Sequence, residues 1–208
     1  MSDGVVVGED GVARCWWSDS ASEYRAYHDR EWGFPVADDV RLFEKLSLEG
    51  FQAGLSWLTI LRKREAFRRA FAGFDFAVVA RFGEDDVARL LADASIVRHR
   101  GKIEAVINNA RRAVELVSTE GSLAAFVWQF EPASIHGTLE GRASIQAHTE
   151  ESRALARELK RRGWRFVGPT TVYAFMQAMG LVNDHLDGCA TRVEVERARA
   201  KFTRPVAA

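Results

Sequence analysis

The sequence has few of the residues that mark several classes of protein. Only two cysteines occur among its 208 residues, which excludes a disulfide framework as the basis of the fold. Only four prolines occur, and no low-complexity linker, so we expect no cleanly separated second domain. No apolar run approaches the ~18 residues that suggest a membrane span, and residues 1–14 lack the basic-then-apolar order of a signal peptide. We therefore expect a cytoplasmic protein with no membrane partner.

Net charge is also absent, because 29 Lys and Arg residues balance 29 Asp and Glu residues. The balance argues at first against a nucleic-acid partner, but the basic residues gather in three stretches, at 62–69, 98–102 and 157–165. Each stretch alone fits the solvated face of a helix. If the three met on one surface, they would attract phosphate whatever the net charge. The sequence leaves both interpretations open.

The hydrophobic period is helical almost throughout, and no alternating run is long enough to support a sheet, so we predict an all-α fold. Asp38 and Ser56 have the side chains that cap helices, and they are predicted to begin two of them. Further helices are predicted after Asp75 and Glu84, and over about residues 101–117, 122–130, 149–162 and 170–179. Residues 131–148 are the least periodic and predict a loop. We expect an acidic extension over 1–14, one helical unit over 15–189 and a tail over 190–208.

A turn is predicted between the last two of these helices. Gly163 suits the left-handed conformation that stops a helix, while Gly168 and the following proline suit the start of the next one. Free amides at such a helix start form a ready anion site, and Arg165 lies beside it in the sequence. A plain corner between two helices explains the glycines equally well. The run from Val167 to Thr171, which includes Thr170, also resembles the helix-hairpin-helix element that binds a DNA phosphate. This resemblance favours DNA as the partner.

Two cysteines and two histidines form widely separated pairs. Cys15 precedes His28 near the start of the chain, and His185 precedes Cys189 near its end. Two thiolates and two imidazoles make a good tetrahedral zinc set, which would join the two ends of the chain. Composition alone favours the alternative of two buried thiols and two unrelated histidines.

Aromatic residues and one carboxylate suggest a pocket. Six tryptophans are a high count, and most of them lie near the start of the chain. Glu49 lies in a stretch of otherwise apolar and small residues, where a carboxylate is costly unless it is paired or used. A carboxylate beside aromatic faces would bind a flat cationic ring. Gly54 and Leu55, at the predicted bend between two helices, are suited to insert an apolar plug into a stack of bases.

The most distinctive segments lie between Cys15 and Cys189. They read Cys-Trp-Trp at 15–17, Tyr-His-Asp-Arg-Glu-Trp-Gly at 27–33, Leu-Glu-Gly-Phe-Gln-Ala-Gly-Leu-Ser-Trp at 48–57, Arg-His-Arg-Gly-Lys-Ile at 98–103, Phe-Val-Gly-Pro-Thr-Thr at 166–171 and Gly-Leu-Val-Asn-Asp-His at 180–185. Together they resemble the motifs of the DNA-3-methyladenine glycosylase I family. The resemblance implies an all-α helix-hairpin-helix DNA glycosylase fold, with two helical lobes around a base pocket and a zinc site joining the N- and C-terminal segments.

The resemblance also implies roles for individual residues. The ligands of one structural zinc ion per chain are Cys15, His28, His185 and Cys189. Glu49 is the carboxylate of the base pocket. Tyr27 and Trp57 are the aromatic residues that stack on the base, with Trp17 and Trp32 as further walls. The residues expected to contact DNA are Gly54, Leu55, Gly163, Gly168, Thr170 and Arg165.

The expected activity is hydrolysis of the N-glycosidic bond of 3-methyladenine in alkylated double-stranded DNA, by a monomer that flips the base out and does not cleave the strand. Many related glycosylases carry an essential aspartate beyond the hairpin, and here the nearest candidate, Asp184, is interpreted as structural. The residue that orients the attacking water is unassigned. One alternative is a non-catalytic zinc-bearing module that binds damaged DNA. The other is an enzyme that acts on a free alkylated nucleotide or base.

Overall fold

The chain folds almost entirely into helices, as its hydrophobic period predicts. The computed structural model describes residues 3–133 and 139–206, and in these ranges it has ten α-helices and one two-stranded sheet. The strands are β1 (Val5–Val7) and β2 (Ala13–Cys15). The helices are α1 (Ser22–Arg30), α2 (Asp39–Gln52), α3 (Trp57–Ala70), α4 (Phe76–Val79), α5 (Glu84–Ala92), α6 (Arg100–Glu120), α7 (Leu123–Trp128), α8 (Glu150–Arg161), α9 (Pro169–Ala178) and α10 (Ala190–Lys201).

Side-chain caps set the starts of the helices that carry the site. The Asp38 carboxylate accepts a hydrogen bond from the Arg41 amide at 2.8 Å, so α2 begins at the next residue. The Ser56 hydroxyl accepts one from the Thr59 amide at 3.2 Å and begins α3. Both starts are those predicted from the sequence, because a cap satisfies amides that no helical carbonyl can reach.

The long helix α6 holds together two loops at one end of the molecule. The Lys102 ammonium donates hydrogen bonds to the carbonyls of Phe51 and Ala53, where α2 ends. About two helical turns further along, the Asn109 side chain pairs with both the amide and the carbonyl of Arg165, at 2.8 and 2.9 Å. The loop after α2 and the turn after α8 are therefore fixed by the same helix.

That turn joins α8 to α9, which pack against each other. Gly163 has a φ of +82° and follows the last turn of α8, as predicted. Gly168 precedes Pro169 at the first position of α9. The turn thus has the glycine and proline positions expected from the sequence. The ten α-helices and single short sheet of the described residues confirm the all-α fold class.

The structure adds elements that the sequence patterns did not predict. The expected N-terminal extension contains the β1–β2 hairpin, in which Val5 pairs with Cys15. The expected C-terminal tail contains α10, whose Val195 is buried. Part of the expected loop, residues 134–138, lies outside the described residues, and its remainder contains a 3-10 turn at Arg142–Ser144. No helix among the described residues is both long and apolar enough to span a membrane.

Candidate active site and metal centre

Four side chains from the two ends of the chain converge in the interior. Cys15 is the last residue of β2, His28 lies on α1, and His185 and Cys189 lie between α9 and α10. Their candidate ligand atoms all fall within 4.8 Å of one another. The Cys189 Sγ lies 3.5 Å from both His28 Nε2 and His185 Nδ1. Bonds of about 2.0–2.3 Å to a tetrahedral zinc ion place ligand atoms about 3.3–3.8 Å apart. The donor set and its spacing therefore fit a metal ion.

The outer nitrogen of each imidazole is held by the protein. His28 Nδ1 lies 2.7 Å from the Asp29 carboxylate, and His185 Nε2 lies 3.0 Å from the Trp32 carbonyl oxygen. Metal-binding histidines usually donate their second ring N–H to such acceptors, which fixes the ring and leaves the other nitrogen free to ligate. In both rings the nitrogen left free is the one that faces the cysteines.

Burial makes this cluster costly without a cation. Both histidines and Cys15 are fully buried, and the hydrogen bond with Cys189, together with burial, raises the pKa of the Cys15 thiol. Two adjacent thiols of this kind resist becoming two thiolates, whereas a bound dication stabilises both in the charged form. With four protein donors, such an ion has no open position for a substrate or water.

An aromatic wall separates this cluster from a cavity. The Trp17 ring centroid lies 5.1 Å from that of His28, and Trp32 lies 4.7 Å from His185. On their other side the two indoles line a cavity of about 260 Å³. Its lining residues are Trp16, Trp17, Tyr24, Tyr27, Trp32, Lys45, Glu49, Gln52, Trp57, Ile145, Ala174 and Gln177. All five residues that the sequence predicts for a base pocket are therefore brought together here.

Glu49 is buried on α2, with its carboxylate aimed into this cavity. It does not stand alone, because the ammonium of Lys45, one turn earlier on the same helix, lies 2.7 Å from Glu49 Oε1. The same ammonium donates a hydrogen bond to the Tyr27 hydroxyl at 2.7 Å and lies 3.2 Å above the centre of the Trp57 ring. The sequence analysis missed Lys45. A lysine and a glutamate four residues apart usually indicate an exposed ion pair, so only the burial of the whole α2 face distinguishes it.

The cavity shifts the pKa values of its polar groups. Burial raises the pKa of the Tyr27 hydroxyl well above its usual value, and the nearby Glu49 carboxylate adds to this effect. Burial also lowers the pKa of Lys45, although the Glu49 carboxylate opposes that shift. The Trp57 indole N–H is buried and has no partner among the described residues, so it is free to donate to a ligand.

The residues predicted to contact DNA lie on two neighbouring loops. Gly54, with a φ of +80°, and the exposed Leu55 follow α2, and the Gly163–Thr170 turn lies beside them, since Phe166 approaches Gly50. Arg165 and Thr170 are exposed on that turn. Phe166, which the sequence analysis did not single out, is 42% exposed and has a φ of +56°. Such a conformation is strained for a bulky residue, and strained residues often occur at functional sites, although Ala72 and the buried Phe74 also adopt it here.

The three basic stretches differ in their surroundings. The first is largely engaged in ion pairs, with Arg62 bound to Glu23 and Arg64 bound to Glu31. In the second, Lys102 is buried beneath the loop after α2. The third surrounds the turn after α8. In this third stretch Arg157 and Arg165 are exposed, whereas Arg161 and Arg162 both pair with Glu158. Exposure does not distinguish it from the second stretch, whose Arg98 and Arg100 are also exposed.

Asp184 lies outside the cavity lining. Its Oδ2 accepts hydrogen bonds from the Tyr173 hydroxyl at 2.6 Å and the Gln177 amide at 2.7 Å. Gln177 itself lines the cavity. Asp184 thus orients a cavity residue and links the site to the loop that carries His185.

Comparison with known proteins identifies the family. A model of the methyladenine glycosylase family matches residues 16–193. The chain belongs to the methyladenine glycosylase family. DNA-3-methyladenine glycosylase 1 of Escherichia coli K12 is 49% identical to it, over 86% of this chain and 96% of that protein. The DNA-3-methyladenine glycosylase of Haemophilus influenzae is 44% identical, over 86% of this chain and 97% of that protein.

Solved structures agree with this assignment to the glycosylase family. A crystal structure of 3-methyladenine DNA glycosylase I superimposes with a TM-score of 0.82 at 48% identity, covering 85% of this chain and 98% of that one. The Staphylococcus aureus enzyme, solved to explain its recognition of 3-methyladenine, gives a TM-score of 0.81 at 36% identity over 85% of this chain and 94% of that one. The methyladenine glycosylase described here is therefore a DNA repair glycosylase, as the sequence resemblance implies.

Proposed function

We propose that this protein excises 3-methyladenine from alkylated double-stranded DNA by hydrolysing the N-glycosidic bond, without cleaving the strand. The observation that carries the proposal is the aromatic cavity with the buried Glu49 carboxylate at its wall. The homologous enzymes carry 3-methyladenine in their names, and one relative was solved in complex with that base.

The chemistry of the lesion suits this cavity. Alkylation at N3 leaves the adenine ring positively charged while it is still attached to deoxyribose, so the base is already a good leaving group. Tyr27 and Trp57 offer flat faces for stacking, and a carboxylate at Glu49 favours a cation over neutral adenine. The protein needs to hold the base, orient it and admit water to the sugar carbon.

The two loops beside the cavity give it access to a duplex. Leu55 would enter the stack of bases where the damaged nucleotide leaves it, because an exposed apolar side chain on a fixed loop can fill that gap. Gly168 and Thr170, at the start of α9, would bind a phosphate through backbone amides, aided by Arg165. Gly54 and Gly163 give these loops the left-handed backbone that brings them close to DNA.

We further infer that the Cys/His cluster holds one structural zinc ion, bound by Cys15, His28, His185 and Cys189. When bound, the ion supplies charge to stabilise the thiolates and joins the two ends of the chain. The unit over 15–189 would then be complete as one helical domain, on which the segments 1–14 and 190–208 pack. We expect the protein to act as a monomer in the cytoplasm.

The direct test is base release from methylated duplex DNA. The protein is incubated with DNA treated with a methylating agent, and the released bases are identified by chromatography against standards. We expect 3-methyladenine in the soluble fraction and abasic, uncleaved strands in the DNA. If zinc-loaded protein binds the DNA but releases no 3-methyladenine, the proposed activity is wrong and the alternative of a non-catalytic binding module is favoured.

A second experiment distinguishes a duplex substrate from a free base. Leu55→Ala is expected to lower excision from duplex DNA about tenfold, because it removes the side chain that fills the gap in the stack. Binding of free 3-methyladenine, measured by tryptophan fluorescence, should not change. Val193→Ala serves as the control, because Val193 is also an exposed apolar residue but lies on α10. Equal excision by the Leu55→Ala variant would remove this residue from the DNA contact.

A further inference from the structure

Lys45 occupies the cavity in a way that the recognition of a cationic base does not require. Its side chain is 7% exposed, and its ammonium contacts three groups of the proposed base site at once: the Glu49 carboxylate, the Tyr27 hydroxyl and the Trp57 ring. An ion pair with Glu49 does not by itself require the ammonium to lie against the Trp57 ring. The ammonium therefore lies in the position that a cationic ligand would take.

The position over Trp57 can hold only one occupant. The Lys45 nitrogen is 3.2 Å from the ring centre. A stacked base also lies about 3.5 Å from the ring beneath it, since that is the contact distance of carbon atoms. The ammonium and a base stacked on the same face exclude each other, so Lys45 must leave this face before the base can stack.

The charges of the surroundings favour an exchange of one cation for another. Of the residues that line the cavity, Lys45 and Glu49 are the two with formally charged side chains. Beyond them, the Arg64 guanidinium and the Glu31 carboxylate pair with each other at 2.6 Å. If Lys45 left without a replacement, Glu49 would remain as an unpaired carboxylate in a largely buried site, which is costly. A cationic base that enters supplies the missing charge, and a neutral adenine does not.

We propose that Lys45 is a specificity-determining residue: a resident cation that yields its place against Trp57 and Glu49 to a cationic base and returns when the base becomes neutral. The inference rests on the proposed excision of 3-methyladenine. It gives the cavity a means of rejecting neutral adenine, because only a ligand that carries charge replaces what the displaced ammonium provided.

The reaction itself reverses the exchange. When the bond between C1′ and N9 breaks, its electron pair passes to N9, and the base that was cationic becomes neutral. The oxygen of water bonds to C1′, and its proton leaves to the solvent. Glu49 then faces a neutral product, so the ammonium of Lys45 regains the advantage and helps to expel the base.

Two ligands and a Lys45→Met variant test the exchange. 3,9-Dimethyladeninium is permanently cationic, whereas 3-methyladenine is neutral in slightly alkaline buffer; affinities for both are measured by tryptophan fluorescence. Methionine keeps the length of the side chain and removes the competing charge. We expect the variant to bind the neutral base about tenfold more tightly, the size of a desolvated cation–π contact. The cation should gain by a smaller factor, because it already replaces the charge of the displaced ammonium, so the preference for the cation should fall.

Controls separate the charge from the side chain's bulk. Lys45→Arg keeps the cation and should bind both ligands about as weakly as the unaltered protein, and Lys201→Met, on the exposed end of α10, should change nothing. Folded Lys45→Met protein that binds 3-methyladenine no more tightly, or that keeps the full preference for the dimethyladeninium ion, would overturn the proposal. Lys45 would then neither compete with the ligand nor discriminate against the neutral base.

An experiment on the unaltered protein avoids any loss of folding in the variant. Because the Lys45 nitrogen lies 3.2 Å from the centre of the Trp57 ring, the protons of the adjoining methylene group should resonate upfield in a proton–carbon NMR spectrum. Saturation with 3,9-dimethyladeninium should return them to ordinary positions, and an unchanged shift with this cation bound would overturn the proposal. Failure of the unaltered protein to release 3-methyladenine contradicts the proposed function instead, so the two failures are distinguishable.

Discussion

Two buried polar clusters lie on opposite sides of one aromatic wall, and they obtain their positive charge from different sources. The Cys15, His28, His185 and Cys189 cluster has donors only, with the outer ring nitrogens already satisfied by the protein. It lacks a cation that the chain itself could provide. Across Trp17 and Trp32, the Glu49 carboxylate is paired with the chain's own Lys45.

The source of the cation determines which cluster can take part in turnover. A cation supplied from outside and bound by four protein donors closes its site and holds the ends of the chain together, so it contributes to folding. A cation on a flexible side chain can be exchanged for a ligand of the same charge. In both clusters a cation offsets the cost of burying anionic groups. The metal ion would do so permanently, whereas the Lys45 ammonium would do so reversibly.

The largest expected effect comes from breaking the donor cluster. Cys189→Ser should abolish stoichiometric zinc binding and lower the free energy of unfolding by several kcal/mol, because the buried donors lose their common ion. At roughly 2–4 °C per kcal/mol for a chain of this size, the melting temperature should fall by about 10 °C or more. Metal analysis and thermal denaturation measure both changes.

A chelator provides the control for this variant. It should lower the melting temperature of the unaltered protein toward that of Cys189→Ser and leave the variant nearly unaffected. An unaltered protein that contains no metal and is only as stable as the variant would contradict the metal site. The contrast between a metal-bound cluster and the Lys45–Glu49 pair would then no longer hold.

The second effect concerns the reversible cluster. Glu49→Gln should lower the specificity constant for 3-methyladenine release at least about 100-fold, which corresponds to about 2.7 kcal/mol, because the amide cannot favour a cation. The melting temperature should fall much less than for Cys189→Ser, since the amide oxygen can still accept a hydrogen bond from Lys45 and the cavity is open to water.

Glu44→Gln is the matched control for this substitution. Glu44 is also buried on α2, but it pairs with Arg68, away from the cavity. Its substitution should cost stability and leave excision unchanged. If the two variants lose excision equally, the effect belongs to helix α2 and not to a carboxylate in the base site.

The sequence predicted those parts of the molecule that depend on local chemistry or on a distinctive motif. Asp38 and Ser56 begin their helices as expected, because a capping side chain acts within three residues of its own position. The four candidate metal ligands could be found from the family motifs, although 170 residues separate Cys15 from His185. Composition alone favoured the opposite interpretation.

Features that depend on tertiary packing escaped sequence analysis. Strands β1 and β2 are three residues each, too short for an alternating pattern to be recognised. Lys45 has the spacing of a surface ion pair, and it is buried only because Tyr27 and Trp57, from α1 and the start of α3, close over it. Such an environment is set by three elements at once.

The smallest expected effect lies in the wall that the two clusters share. Trp17 touches the His28 ring on one side, at 5.1 Å between centroids, and lines the cavity on the other. Trp17→Phe should therefore lower the free energy of unfolding by about 1 kcal/mol, the value of a lost aromatic contact, and weaken binding of 3-methyladenine a few-fold. Trp164→Phe removes the same atoms from a buried site packed on Phe43, distant from both clusters, and should affect stability alone. A change in both measurements would show that the Trp17 ring contributes to the donor cluster and to the cavity alike. If only one measurement changed, its ring would support that side of the wall alone.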